Sequence, residues 1–231
     1  MLARLLAQLP ADIRRALAAV SELRDAPAGT VMIADGAPAE GVGLVLEGTL
    51  GLIKRLPDGR SNIIGLLTPG ELCGRVFDPE ASYQVEALTD ARVLCFKRAG
   101  FEEILEAAPE VERLFMINVL DEIDAAREWL LLLGGRKAVE RVASFLLILC
   151  RQELARRGTD WDGSPIPVRL PLSRADLARH LGTRPETLSR ALHALEDRGV
   201  LVIHDPGRFE VTDPEGLVNI SGHDLLRERC G

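Results

Sequence analysis

The segment from Leu172 to Leu201, LSRADLARHLGTRPETLSRALHALEDRGVL, constrains the fold of this chain more than any other. Ser173 followed three residues later by Asp176 makes a capping-box-like helix start, with Asp in place of the usual Glu or Gln, and Leu177 and Leu181 follow at helical spacing. Gly182 supplies a tight turn. Thr183 with Glu186 predicts the start of a second helix, where Leu188, Leu192 and Leu195 face a core at steps of four and three. Helix, short glycine turn and helix in this order form a helix–turn–helix unit. Val200–His204, the turn residues Asp205-Pro206-Gly207 and Arg208–Val211 then predict a hairpin that would serve as a wing.

Glu186, Ser189 and Arg190 share the outward face of the second helix at its first turns, where a recognition helix meets base edges. An arginine can donate two hydrogen bonds to guanine O6 and N7, a glutamate accepts from cytosine N4, and a serine meets either kind of edge. Thr183, Arg184 and Thr187 near the helix start, Ser173 at the first helix and Arg208 at the wing tip are candidate phosphate contacts, which position without reading sequence. Taken alone, Glu186 and Arg190 also fit an ordinary surface pair worth about 0.3–0.5 kcal/mol. Their place after the Gly182 turn and before the hairpin is what favours base reading. The net charge of −7 runs against a nucleic-acid partner, yet Arg169–Arg198 carries six arginines against four acids.

Upstream the rhythm differs. An amphipathic opening (Leu2, Leu5, Leu6 and Leu9, then Ile13, Leu17 and Val20 after Pro10) leads into short apolar runs: Val31–Ile33, Val42–Leu46, Leu50–Ile53, Ile63–Leu67, Val85–Leu88 and Val93–Phe96. Turn signals such as Ala34-Asp35-Gly36, Leu46-Glu47-Gly48, Pro57-Asp58-Gly59 and Pro69-Gly70 separate them, which predicts an antiparallel β roll or sandwich. After Phe101, Met116, Val119, Ile123, Ala126, Leu130 and Leu133 alternate at steps of three and four, the seam of a coiled coil and hence a candidate dimer interface. A single amphipathic helix lying on its own domain gives a similar pattern, and the off-seam Leu120, Trp129 and Leu132 are expected to pack on the parent domain. Gly134-Gly135 breaks the helix. A second one is expected from Arg136 to about Arg157, with Val139, Val142, Phe145, Leu146 and Leu149 on one face, followed by a polar connector from Arg157 to Pro167. The fold class is therefore α+β: residues 1–106 a β-roll effector domain, 107–134 a dimerisation helix and 135–231 a winged helix-turn-helix.

Composition excludes several functions. No apolar run approaches the roughly 20 residues that span a bilayer, and Met1–Pro10 lacks signal-peptide architecture, so a cytoplasmic protein without a membrane partner is expected. Cys73, Cys95, Cys150 and Cys230 show no C-x-x-C spacing, and no metal site is expected. His180, His193, His204 and His223 all lie in the last quarter, leaving the expected effector domain without an imidazole. With no nucleophile–base constellation or phosphate-binding glycine loop, an enzyme is not expected.

At RPETLSRAL (Arg184–Leu192) the chain resembles the family of the cyclic-AMP receptor protein and FNR, in its FNR and FixK branch. Asp121–Leu146 is similar to the dimer helix and following helix of FnrL-type regulators, and Gly48, Gly59, Gly70 and Gly74 fall where the family's β roll turns. The resemblance covers nearly the whole length. It implies a cyclic-nucleotide-binding-like jelly roll, a homodimer on double-stranded DNA, a TTGAT-type inverted repeat and contact with RNA polymerase. Cyclic-nucleotide binders of the family follow the Gly-Glu-Leu segment with an Arg-Ser or Arg-Thr pair; here Gly70-Glu71-Leu72 is followed by Ala81-Ser82, so no cyclic-nucleotide response is expected, with Arg75 the one conceivable substitute. No cysteine precedes Cys73, so no N-terminal iron–sulfur cluster is expected. A FixK-like regulator set by its own abundance, without a cofactor, fits best. The alternatives are a redox, haem or metal sensor using Cys73 and Cys95, and a small-molecule-binding signalling protein that does not bind DNA.

Overall fold

The computed structural model describes residues 9–77, 80–133, 137–170 and 172–222, without the side chains of Leu131 and Leu133. The expected helix at Leu2–Leu6, the Gly134-Gly135 break, His223, Cys230 and the Leu133 seam position lie outside what is described. The chain divides into two compact units, residues 1–125 and 126–231.

In the first unit, α1 (Ala11–Ala19) precedes eight strands: β1 (Ser21–Ala26), β2 (Val31–Ile33), β3 (Gly41–Glu47), β4 (Leu50–Arg55), β5 (Ser61–Leu67), β6 (Leu72–Gly74), β7 (Gln84–Ala87) and β8 (Ala91–Lys97). They form two antiparallel sheets, β1-β8-β3-β6 and β2-β7-β4-β5. Val45, Cys73, Ala91 and Val93 of the first sheet meet Leu50, Leu67, Val85 and Ala87 of the second to make the inner core. The other face of the first sheet, Val42, Leu44 and Phe96, is covered by Leu17 of α1, by Phe101 and Leu105 of α2 (Arg98–Ala107), and by Val111 of α3 (Pro109–Leu133). Strand β3 is thus buried on both faces, which is why it reads as a continuous apolar run instead of an alternating one. At the crossing from β3 to β4, Gly48 holds φ 81°, and a Cβ there would meet the Asp90 carbonyl oxygen at 2.3 Å, so only glycine fits.

The second unit holds the end of α3, then α4 (Ala138–Arg157), β9 (Ile166–Arg169), α5 (Arg174–His180), α6 (Pro185–Glu196), β10 (Leu201–Asp205), β11 (Arg208–Val211) and α7 (Pro214–Ser221). Strands β10-β11-β9 make a three-stranded antiparallel sheet. Helix α4 is buried over most of its circumference, with Ala143, Ser144 and Leu147 as enclosed as Val142, Phe145 and Leu146, because α6, α7 and β9 all pack on it. The single apolar face expected of it is therefore too narrow a description. It ends at Gly158, whose left-handed φ of 67° closes the last turn.

The end of α3 is fastened to this unit by three contacts. The Trp129 ring stacks on the His180 ring at 3.7 Å and 15°, with Phe145 edge-on to the same imidazole; Leu132 is buried; and Glu128 pairs with Arg151 of α4. Trp129 and Leu132 therefore pack within the second unit, whereas Leu120 is 56% exposed. Trp129→Ala should lower unfolding stability by about 2–3 kcal/mol, the low end of a buried aromatic truncation because the ring is only half-buried. Denaturant unfolding followed by far-UV circular dichroism measures this; an unchanged midpoint would show that the stack contributes nothing.

Candidate nucleic-acid interface

The interface is built from the caps outward. Ser173 is the N-cap of α5: its hydroxyl accepts from the Asp176 N–H at 3.0 Å and donates to the Asp176 carboxylate at 2.6 Å. The Asp closes the box on the serine hydroxyl, since its side chain is one methylene shorter than the Glu or Gln that reaches the backbone N–H. Helix α5 buries Leu177, and Leu181 behind it is also enclosed. Gly182 at φ 58° then lets the Thr183 N–H return to the Ala178 carbonyl at 2.9 Å, a Schellman closure.

The second helix begins one residue later than the sequence suggests. Its N-cap is Arg184, not Thr183, because Pro185 takes the first helical position, where a missing N–H costs nothing, and holds its predecessor extended at φ −98°, ψ 150°. Leu188, Ala191, Leu192 and Leu195 are buried, and this stripe turns Glu186 and Arg190 fully outward with Ser189 and Thr187 half-exposed between them. The expected face therefore exists as solvent-facing surface. Arg190 reaches the Thr187 hydroxyl at 3.5 Å, and among the described residues it makes no ion pair with Glu186, so both charged ends remain available. Thr183 is half-buried and Arg184 exposed beside them.

The wing forms as β10 and β11 around Pro206-Gly207. Arg208 at its tip is exposed but pairs with Asp205, whose carboxyl is held below the usual carboxylate range by the Gly207 N–H first and Arg208 second. Strand β9 places Arg169 directly opposite Arg208 in register, both exposed. Sequence reasoning counted Arg169 among the arginines of this half but did not place it beside the wing; the alternation of Ile166-Pro167-Val168-Arg169 was the available signal, hidden in what reads as connector. Arg174 stands over the Phe209 ring at 5.4 Å and ties the start of α5 to the wing, with burial lowering its pKa.

On α3 the expected seam is apolar and uncovered: Met116 is 51%, Ile123 41% and Leu130 70% exposed, Val119 is half-exposed and Ala126 exposed. These three large residues recur every seven positions.

In the β unit, Cys73 and Cys95 both lie opposite Gly43, on its two flanking strands. Two strand spacings place their Cα atoms about 9.5 Å apart, beyond the span of a disulfide. Burial, with a contribution from Cys95, pushes the Cys73 thiol up to about 12, and burial raises half-buried Cys95 as well. Among the described residues no three His, Cys, Asp or Glu side chains are placed to share a metal.

The second half of the unit also shows what a cyclic phosphate would meet. Ala81 is enclosed and supplies no charge, while the Lys54 ammonium is spent on Asp35 and on the Ser82 carbonyl. The Glu71 carboxylate accepts from the Thr68 N–H and hydroxyl, and burial raises its pKa, with Asp121 of α3 adding repulsion. Arg75, half-buried, has Tyr83 for an electrostatic neighbour. Among the described residues, Ala81 and Ser82 bring no cation where the resemblance expects an Arg-Ser or Arg-Thr pair.

A β roll, a long helix with a bare apolar seam and a winged helix-turn-helix define a two-domain regulator fold. Residues 140–220 match the Crp-like helix-turn-helix domain and residues 23–108 the cyclic nucleotide-binding domain. The chain is 37% identical over 201 residues to the transcriptional activator protein FnrL of Cereibacter sphaeroides, covering 87% of this chain and 81% of that protein. It is 36% identical over 173 residues to the nitrogen fixation regulation protein FixK of Bradyrhizobium diazoefficiens, 72% of this chain and 71% of that one. The solved structure of FixK2 from Bradyrhizobium japonicum matches with a TM-score of 0.76 at 30% identity, over 87% of this chain and 97% of that chain. The chain belongs to the CRP/FNR family of transcription regulators; it is not an enzyme.

A thiol near 12 leaves about 1 in 10,000 as thiolate at pH 8, so Cys73 should resist iodoacetamide in the native protein and react once denaturant is added. Peptide mass mapping after a short exposure checks this. Labelling of native Cys73 at the rate of a free thiol would show that it is not enclosed.

Proposed function

We propose that this regulator works as a homodimer that seats its two α6 helices in successive major grooves, about 34 Å apart, and reads a TTGAT-type inverted repeat. Glu186, Ser189 and Arg190 read base edges, while Ser173, Thr183, Arg184, Thr187 and Arg208 hold phosphates. One observation carries the reading: the outward face of α6 pairs an acid and a guanidinium, not tied to each other, with a hydroxyl at the first turns of a helix fixed by the Gly182 closure. The Ser173 hydroxyl and the Arg208 guanidinium already have intramolecular partners, so on DNA they exchange those partners or share them.

Met116, Val119, Ile123, Ala126, Leu130 and Leu133 form the dimer seam. The exposed large residues at every seventh position support it, because an apolar stripe this long is costly to leave in water. Relatives named as transcriptional activators support activation through contact with RNA polymerase. Ala81 at the place where the resemblance expects an arginine supports a regulator whose activity follows its abundance in the cytoplasm.

Arg190→Ala should weaken binding to a TTGAT-type duplex by about 1–3 kcal/mol and relax the preference at one base pair per half-site, measured by fluorescence anisotropy against single-base variants. An unchanged specificity profile would refute the role of Arg190. Ile123→Glu should put like charges into the seam and give monomers in analytical ultracentrifugation; a dimer that survives would place the interface elsewhere.

A further inference from the structure

Beyond Arg190, the exposed face of α6 continues to His193, which sits three residues on from Arg190 and seven from Glu186. Its imidazole is exposed, but it is not free to turn. Nδ1 lies 2.8 Å from the Ser189 carbonyl oxygen. A carbonyl only accepts, so Nδ1 carries the proton, and in the neutral ring Nε2 is left with a lone pair. The ring is therefore held in one orientation with Nε2 as its remaining polar atom.

The position along the helix decides what Nε2 meets. Seven residues at about 1.5 Å each put His193 roughly 10 Å behind Glu186 along the axis. With the N-terminal turns of α6 at the base edges, a side chain that far back on the same face is the one placed to leave the base edges and meet the phosphates at the groove wall. A neutral Nε2 presents a lone pair to phosphate oxygens and is repelled; a protonated Nε2 presents a charged donor and binds them.

We propose that His193 is a further DNA contact, donating from protonated Nε2 to a backbone phosphate of the half-site, so that complex formation takes up one proton per subunit. The inference rests on α6 being the DNA-reading helix. The proton comes from solvent and goes to Nε2; no covalent bond other than that N–H forms.

The surroundings allow this. On α6 itself the neighbouring charged groups are Glu186 and Arg190 before His193, and Glu196, Asp197 and Arg198 after it, with Glu196 engaged by the Ile203 N–H. Of the elements packed on α6, α5 brings Asp176 and Arg179, paired with each other, together with Arg174 over Phe209 and His180 stacked on Trp129. Strand β10 brings His204 and Asp205, paired with Glu210 and Arg208. Helix α4 brings Glu140, bonded to the Lys137 N–H, Arg151 paired with Glu128, Glu153 with Arg156 and Arg157, and half-buried Arg141.

The linkage has a definite sign. A histidine that gains a phosphate partner is stabilised in its charged form, so affinity is greatest at low pH and is lost as pH rises through the titration of the complex. The experiment measures Kd of the full-length protein for a labelled TTGAT-type inverted-repeat duplex by anisotropy, at constant ionic strength, from pH 8 to pH 5.8. Wild type should tighten ~10-fold or more as pH falls, with a limiting slope of two protons per dimer. His193→Gln should flatten the profile, and His193→Lys should bind at pH 8 about as tightly as wild type near pH 6, with a salt slope at pH 8 steeper by about two. His204→Gln should keep the wild-type slope, which separates His193 from the other exposed histidine among the described residues.

A His193→Gln profile that retains the wild-type slope, or a His193→Lys protein with unchanged affinity and salt slope at pH 8, would overturn the proposal. Tight, salt-dependent but pH-independent binding by wild type also overturns it and leaves the DNA-reading assignment standing. Binding that does not respond to salt at any pH removes that assignment, and the histidine contact with it.

Discussion

The burial of one leucine stripe governs the functional half of this molecule. Leu188, Leu192 and Leu195 on α6 are enclosed, each gaining about 2 kcal/mol over exposure, and with Ala191 they fix the rotation of the helix about its own axis. Once that rotation is set, 3.6 residues per turn leaves no choice for the opposite face: Glu186, Arg190 and His193 must point to solvent. Pro185 and the Gly182 closure fix where the helix starts, and so which of these residues lies nearest its tip. The face proposed to read DNA is thus set by where the core takes its leucines.

The β unit follows a different rule. Strand β3 of its first sheet is buried on both faces, and Cys73, opposite Gly43 on the neighbouring edge strand β6, is enclosed with it and behaves as a small buried hydrophobe. Where the family resemblance expects an arginine, this unit has Ala81, and Lys54 is paired with Asp35.

Much of this was legible in the residues. Six of the eight strands in the first unit announced themselves as apolar runs between turn signals, and the helix–glycine–helix spacing located α5 and α6. What escaped had physical reasons. Strand β1, SELRDA, is a charged edge strand that pairs through its backbone along β8 and buries only Ala26, so it has no apolar signature. Strands β6 and β9 are short. The Thr183–Glu186 spacing imitated a capping box, but Pro185 outranked it. The packing of Trp129 on His180 joins residues far apart in sequence, and no local period could show which neighbour Trp129 would find.

The central claim is that two copies of the α6 face read an inverted repeat. Selection of bound duplexes from a random pool by the full-length protein, followed by sequencing, tests it most directly. The account expects enrichment of TTGAT-type half-sites in opposite orientation with centres about one helical turn apart. Enrichment of a single unrepeated half-site, or of no sequence at all, would contradict it.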